Sequence, residues 1–267
     1  RIIGDLMLGS DPGAAFTAII QIGTELAVIL YFRHDIIRIL GAWFGSLFGK
    51  EGKDFKSRMG AHNPDTQMGW FIILGTMPIL IAGLLFKHAI EGSLRNLWIT
   101  VTVLALFGVL LWVVDARSKQ VKTMKEMTWK DALIFGIGQM LALIPGVSRS
   151  GGTITFGRAM GYTREAAVRV SFLMAIPAVF GAGILEAVSA VKDVAAGDAG
   201  MFPGWGPTIA AAIVAFVVGY VVIIGFLKFV STFSYKAFAI YRIGLAIVVA
   251  LLLITGVLSP LEAAAAA

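Results

Sequence analysis

Six apolar stretches, each close to the length of a membrane-crossing helix, run through this chain at about residues 14–32, 69–87, 96–114, 169–190, 206–230 and 236–257. A helix rises about 1.5 Å per residue, so about 20 residues cross the roughly 30 Å of hydrocarbon in a bilayer. With 58% hydrophobic and 14% charged residues among 267, the chain has too little polar surface to cover a water-soluble globule. A chain inside a bilayer must satisfy its own backbone, as helices or as a closed barrel, and a barrel would be written in short alternating segments. The expectation is therefore an all-α polytopic membrane protein with six transmembrane helices. The absence of cysteine excludes disulfides, thiolate catalysis and cysteine-ligated metals.

The net charge of +6 matters less than where it falls. Arg33, Arg38, Lys50, Lys53, Lys56 and Arg58 lie between the first two runs, and Arg117, Lys119, Lys122, Lys125 and Lys130 follow the third. The loop between the second and third runs carries only Lys87 and Arg95. The positive-inside rule puts the first and third loops in the cytoplasm and starts residue 14 on the outer side, so these runs are topology signals and no nucleic-acid partner is expected. Farther on, Lys192 falls outside, Lys228 and Lys236 inside, and the carboxyl terminus outside.

One segment breaks the pattern of full crossings. Residues 131–144, "DALIFGIGQMLALI", offer 14 residues before Pro145 and Gly146, a reach of roughly 21 Å, which is short of a crossing. A second short piece, about 151–160, ends among Arg158, Arg164 and Arg169, which favour the cytoplasm again. The spacing predicts a re-entrant helical hairpin that enters from inside, turns near mid-membrane between Pro145 and Gly152, and returns. Such breaks are tolerated where protein or a water-filled cavity surrounds them. A hairpin followed by three spans makes up the second half, and three spans make up the first. Because three is odd, the halves would be inverted repeats, and a matching hairpin is expected ahead of Arg1. The expected domain is a single integral membrane unit over residues 1–257. Residues 258–267, ending "LEAAAAA", resemble a cloning remnant or placeholder tail.

An arginine at mid-bilayer depth costs about 2.5 to 3.5 kcal/mol on insertion scales, so Arg149 needs an anion, a cavity or a partner. Ser148 and Ser150 flank it, and Thr153 follows one turn later. Gly146, Gly151 and Gly152 allow a tight turn and close approach of backbone amides at the start of the returning half-helix. A planar guanidinium, hydroxyls and a positive helix end converge on phosphate or pyrophosphate. The alternative is that Arg149 pairs with a buried carboxylate or caps carbonyls of a neighbouring helix.

The segment "QMLALIPGVSRSGGT" (139–153) resembles the signature of the undecaprenyl pyrophosphate phosphatase, or bacitracin-resistance, family of bacterial membrane enzymes. "AFTAIIQIGTELAVILYF" (15–32), "SFLMAIPA" (171–178) and "FAIYR" (238–242) stand in the family's order, so the similarity covers most of residues 1–257. The resemblance implies hydrolysis of the terminal phosphate of a C55 polyprenyl pyrophosphate, which regenerates the carrier lipid for cell-wall synthesis, in the plasma membrane with a site facing the outer side. It implies that Arg149 grips the pyrophosphate with Ser148 and Thr153 as hydroxyl partners, while Gly146, Ser150, Gly151 and Gly152 form the supporting loop. It also implies stimulation by a divalent cation, magnesium or calcium, although no metal-ligand spacing is written in these residues. Two departures stand out. The family's acidic segment, with two glutamates followed by proline, serines and a histidine, is expected upstream of Arg1 and is not in this sequence. Arg169 stands where the family often has a glutamate, so that position has no acidic role.

Three further residues are candidates for accessory roles. Gln21 and Glu25 share a helix face, and Glu25 is an intramembrane carboxylate placed to partner Arg149 or Arg242 or to serve as a base. Arg242 either snorkels to the cytoplasmic surface or reaches the cavity. Gln139 reads as a helix-packing hydrogen bonder bordering the site. His34, His62 and His88 fall in flanks or loops, and Pro78 and Pro177 are expected to kink spans. "IRILGAWFGSLFGK" (37–50) has apolar residues at helical spacing and is expected along the inner membrane surface. A homodimer is compatible with the sequence. The rival from another class is an inverted-repeat transporter or flippase of a phosphate-bearing lipid or anion.

Overall fold

The structure is a computed structural model and describes residues 14–91, 94, 96–197 and 203–260. The regular elements among those residues are helical, with an isolated bridge between Lys122 and Tyr162. In chain order they are α1 (Ala14–Tyr31), α2 (Arg33–Leu47), α3 (Phe55–Arg58), α4 (Pro64–Leu85), α5 (Lys87–Glu91), α6 (Leu97–Arg117), α7 (Trp129–Met140), α8 (Arg149–Ala159), α9 (Arg164–Ala196), α10 (Trp205–Thr232) and α11 (Lys236–Ile254). Short 3₁₀ turns cover Met124–Glu126 and Leu141–Leu143.

The sequence sets several of the starts. Asn63 accepts the Asp65 and Thr66 amides at 2.9 and 3.4 Å, with Pro64 just behind it, so α4 begins on a capped turn. Asn96 accepts the Trp98 amide at 2.8 Å and opens α6. At α7, Thr128 and Asp131 exchange backbone-to-side-chain bonds of 3.2 and 3.1 Å, a capping box that starts the short hairpin helix where it was expected.

Among the described residues, α4, α6, α10 and α11 are long and apolar enough to cross a bilayer. They match four of the six expected runs. The first run is α1, with 18 residues, and the fourth lies within α9, which begins already at Arg164 and has 33 residues. Pro78 and Pro177 lie inside α4 and α9 without ending them. Where the re-entrant hairpin was expected stand two short helices, α7 and α8, separated by a turn over residues 141–148. The amphipathic stretch read over 37–50 begins earlier and ends sooner, as α2. The proposed counterpart hairpin ahead of Arg1 lies outside the chain, and residues 261–267 of the tail lie outside the described residues. Within 258–260, the Pro260 carbonyl accepts the Leu97 amide at 2.8 Å.

The chain forms two compact units, residues 1–37 with 175–226, and residues 38–174 with 227–267. In the second unit α4 packs on α7, α11 on α6, and α8 on both α6 and α7. Its buried side chains include Phe71, Phe135, Val147, Ile154, Tyr162 and Ala239. The two short helices α7 and α8 thus pack within their own unit, α7 on α4 and α8 on α6 and α7.

Candidate functional site: the tip of the broken hairpin

The chain turns at the tip through conformations that most residues avoid. Gly146 has φ +100°, and Ser148, a non-glycine residue, has φ +67°. Such a φ at a residue with a Cβ costs on the order of 1 kcal/mol or more and persists where surrounding contacts over-determine it. The contacts are visible on both sides. A Cβ at Gly146 would collide with the Thr100 carbonyl of α6, and one at Gly152 with the Gly138 carbonyl of α7, so the absent side chains set how closely the tip seats.

Ser148 then caps α8. Its Oγ accepts the Gly151 amide at 3.3 Å, and its carbonyl accepts the Gly152 amide at 2.8 Å. The earliest amides of α8, those of Arg149 and Ser150, have no acceptor inside the helix and lie at its positive end. Ser148 is exposed, while Arg149, Ser150 and Gly151 are partly buried. Thr153 lies deeper, with no exposed surface, and its hydroxyl donates to the Arg149 carbonyl at 2.8 Å. The tip therefore divides into an outward edge of Ser148, Arg149, Ser150 and the first amides, and an inner layer of Gly152 and Thr153 that packs it.

Arg242 of α11 neither snorkels to the surface nor points away from the tip. Its Nη2 donates to the carbonyls of Gly146 and Val147 at 2.6 and 2.9 Å, and its Nη1 lies 2.9 Å from where a Cβ on Gly151 would stand. Arg242 thus caps two carbonyls of the tip. Gln139, on α7, has no exposed surface, and neither atom of its amide finds a partner among the described residues. Glu25 belongs to the other unit, where it accepts the Gln21 amide at 3.0 Å and sits against Gly183 of α9. Arg242 is committed to the tip carbonyls.

Residues 1–248 match the family described as bacitracin resistance protein BacA. The chain belongs to that family. It is 92% identical over 267 residues to an undecaprenyl-diphosphatase of Bifidobacterium adolescentis, covering 100% of this chain and 91% of the relative. It is 77% identical over 262 residues to one from Bifidobacterium animalis subsp. lactis, covering 98% and 88%, and 52% identical over 261 residues to one from Pseudarthrobacter chlorophenolicus, covering 97% and 90%. With four long apolar helices, this BacA-family chain is a multi-pass membrane protein.

At the far end of α8 lies a cluster whose arginines, Arg158 and Arg164, the charge pattern places in the cytoplasm. Arg158 is fully buried, and its Nε donates to Asp115 Oδ1 at 2.8 Å, its Nη2 to the Asp115 carbonyl at 3.2 Å and its Nη1 to the Tyr162 carbonyl. Arg164 donates to both Asp115 oxygens at 2.9 to 3.2 Å, and the Tyr235 amide adds a bond of 3.1 Å. Arg158 is therefore not held by the aqueous cytoplasm, as the charge pattern suggested, but by a buried carboxylate at the end of α6. Beside it, the Tyr162 hydroxyl donates to Asp131 at 2.9 Å, and Lys122 lies 3.5 Å from the same carboxylate. Burial, followed by donation to Asp131, pushes the Tyr162 hydroxyl well above its usual range, and burial beside Asp115 does the same at Tyr235. These tyrosines are structural donors at neutral pH. Arg169 pairs with Glu165 at 3.6 Å, one turn back on α9.

A divalent cation finds no evident cradle here. Among the described residues no three His, Asp or Glu side chains converge. The tip carries the Ser148 and Ser150 hydroxyls and the first amides of α8, and Arg242 already occupies the carbonyls of Gly146 and Val147. This donor set suits an anion, so the described residues by themselves do not fit the cation.

Proposed function

We propose that this chain hydrolyses undecaprenyl diphosphate to undecaprenyl phosphate and inorganic phosphate, recycling the carrier lipid for cell-wall synthesis. The observation that carries the reading is the hairpin tip, where Ser148 at φ +67° caps α8 and Arg242 holds the Gly146 and Val147 carbonyls; we read Ser148, Arg149, Ser150 and the first amides of α8 as one donor edge. The name undecaprenyl-diphosphatase, carried by a relative 92% identical, supports the same reaction.

The chemistry follows from charge. When the bond between the two phosphorus centres' bridging oxygen and the terminal phosphoryl group breaks, negative charge grows on the bridging and equatorial oxygens. Arg149 meets two oxygens with its planar fork, Ser148 and Ser150 supply hydroxyl donors, and the α8 amides add fixed dipoles that need no reorganisation. In a water-poor site these terms count for far more than in bulk water. From Leu141 to Gly157 there is no acidic or imidazole side chain, so the tip binds and stabilises, and the group that takes up the proton lies outside that stretch.

We read the finer architecture as six spans plus a re-entrant hairpin, arranged as an inverted repeat in the bacterial plasma membrane with the site opening to the outer face. The 12 residues of α7 and 11 of α8 support this, since helices of about 16 to 18 Å are too short to cross. Two measurements test the proposal. Full-length protein in detergent, given a C55 polyprenyl pyrophosphate, should release inorganic phosphate; a transporter or flippase would release none. In intact cells an impermeant maleimide should label Lys192→Cys, and Lys53→Cys only after permeabilisation; the reverse pattern would invert the topology.

A further inference from the structure

Just ahead of α4, residues 44–58 fold into a lobe whose surface chemistry the phosphatase reaction does not use. The buried Ser46 hydroxyl donates to the Ser57 and Arg58 carbonyls at 3.1 and 3.0 Å, and Trp70 Nε1 donates to the same Arg58 carbonyl at 2.9 Å. These bonds fold α3 back against the end of α2. Phe44, Phe48 and Phe55 then share one lobe at 50%, 87% and 77% exposure.

The lobe's charges are sorted by sign. Asp54 accepts the Ser57 backbone amide at 3.1 Å and its hydroxyl at 2.6 Å, and Glu51 accepts from Thr66 Oγ1 at 3.1 Å and from Asn63 Nδ2. Hydrogen bonds from the Ser57 hydroxyl and amide hold the Asp54 carboxyl below its usual range, so the acid stays committed to the turn. The cations are not committed. Lys50, Lys53, Lys56 and Arg58 are exposed, and no described carboxylate forms an ion pair with any of them. Only residues 59–63 separate the lobe from the first turn of α4, a helix able to cross a bilayer, so the lobe lies where that span leaves the hydrocarbon.

We propose that this lobe binds anionic phospholipid headgroups, with Phe48 and Phe55 inserted at the headgroup boundary and Lys50, Lys53, Lys56 and Arg58 on the lipid phosphates. Exposed aromatics beside unpaired cations, at the end of a span, match an anionic interface on both counts. This site is separate from the hairpin tip and does not depend on the phosphatase reading.

The cysteine-free chain makes the test clean. Full-length Phe48→Cys, Phe55→Cys and Lys53→Cys variants, spin-labelled in nanodiscs containing phosphatidylglycerol, report insertion through collision with oxygen or with a water-soluble nickel chelate. Labels at 48 and 55 should favour oxygen, and the label at 53 the chelate. Native mass spectrometry should show phosphatidylglycerol retained over phosphatidylcholine by roughly tenfold, and combined Lys50→Gln, Lys53→Gln and Lys56→Gln should erase the preference. Equal retention of the two lipids would overturn the proposal, as would chelate access at 48 and 55 equal to that at 53. Exclusion of both reagents with label-to-label broadening would overturn it in favour of a second copy of the chain.

Discussion

Arg242 donates to the Gly146 carbonyl at 2.6 Å, tying the last helix to the turn of the hairpin across 95 residues of intervening chain. The second bond, to Val147, fixes both carbonyls ahead of the strained Ser148. Arg242 is thereby a positioning residue for the donor edge rather than part of it. Arg242→Gln should leave the fold intact but lower kcat by roughly 10²-fold through misplacement of the tip. Steady-state phosphate release checks this, with circular dichroism to confirm folding. A variant with wild-type kcat would show that the tip holds its shape without the clamp.

Arg149 should behave differently. Arg149→Lys keeps the charge and loses the planar fork, so kcat/KM for the lipid diphosphate should fall by roughly 10²- to 10³-fold with little loss of stability. Inorganic pyrophosphate should inhibit the wild type competitively and the variant far less. An arginine present only for charge balance would tolerate lysine, and unchanged kinetics would remove Arg149 from the site.

Sequence pattern carried the four long apolar helices because hydrocarbon thickness acts on length alone. Runs near 20 residues become helices such as α6 and α11, and an interrupted run becomes α7 and α8. The same one-dimensional reading could not see which polar groups pair. Arg158 and Asp115 are separated by 43 residues, and Arg242 and Val147 by 95, so nothing local linked them. Charge counting therefore assigned Arg158 to the cytoplasm, although burial beside a carboxylate satisfies it equally well. A hint was available in Asp115, an acid at the end of an apolar run, whose cost invites a buried partner. The split of the tip into a donor edge and a packing layer was equally hidden, because Ser148 and Thr153 look alike in composition and differ only in depth.

Ser148 offers a test that separates strain from chemistry. Its φ of +67° suits glycine, so Ser148→Gly relieves backbone strain while removing the hydroxyl, and Ser148→Ala removes the hydroxyl while keeping the strain. Ser148→Gly should be more stable than Ser148→Ala by about 1 kcal/mol in detergent melts. Both should lose activity to a similar extent if the hydroxyl contacts phosphate. Activity that follows stability instead would confine Ser148 to a capping role.

Asp115 ties the end of α6 to its neighbours, because it accepts from Arg158 of α8, Arg164 of α9 and the Tyr235 amide just ahead of α11. Asp115→Asn leaves Arg158 buried without a counter-charge, and removing one partner of a buried pair typically costs about 3 to 5 kcal/mol. The variant should therefore melt well below the wild type or fail to accumulate. Adding Arg158→Met removes the stranded charge and should recover part of that loss, because an apolar replacement of a buried pair is often near neutral. Arg164, with 19% of its side chain exposed, can reach solvent and should not need the same compensation. The comparison is a double-mutant cycle on thermal stability in detergent. If the two substitutions simply add, the buried pair contributes no coupling, and the anchoring of α8 must be sought in its packing on α6 and α7.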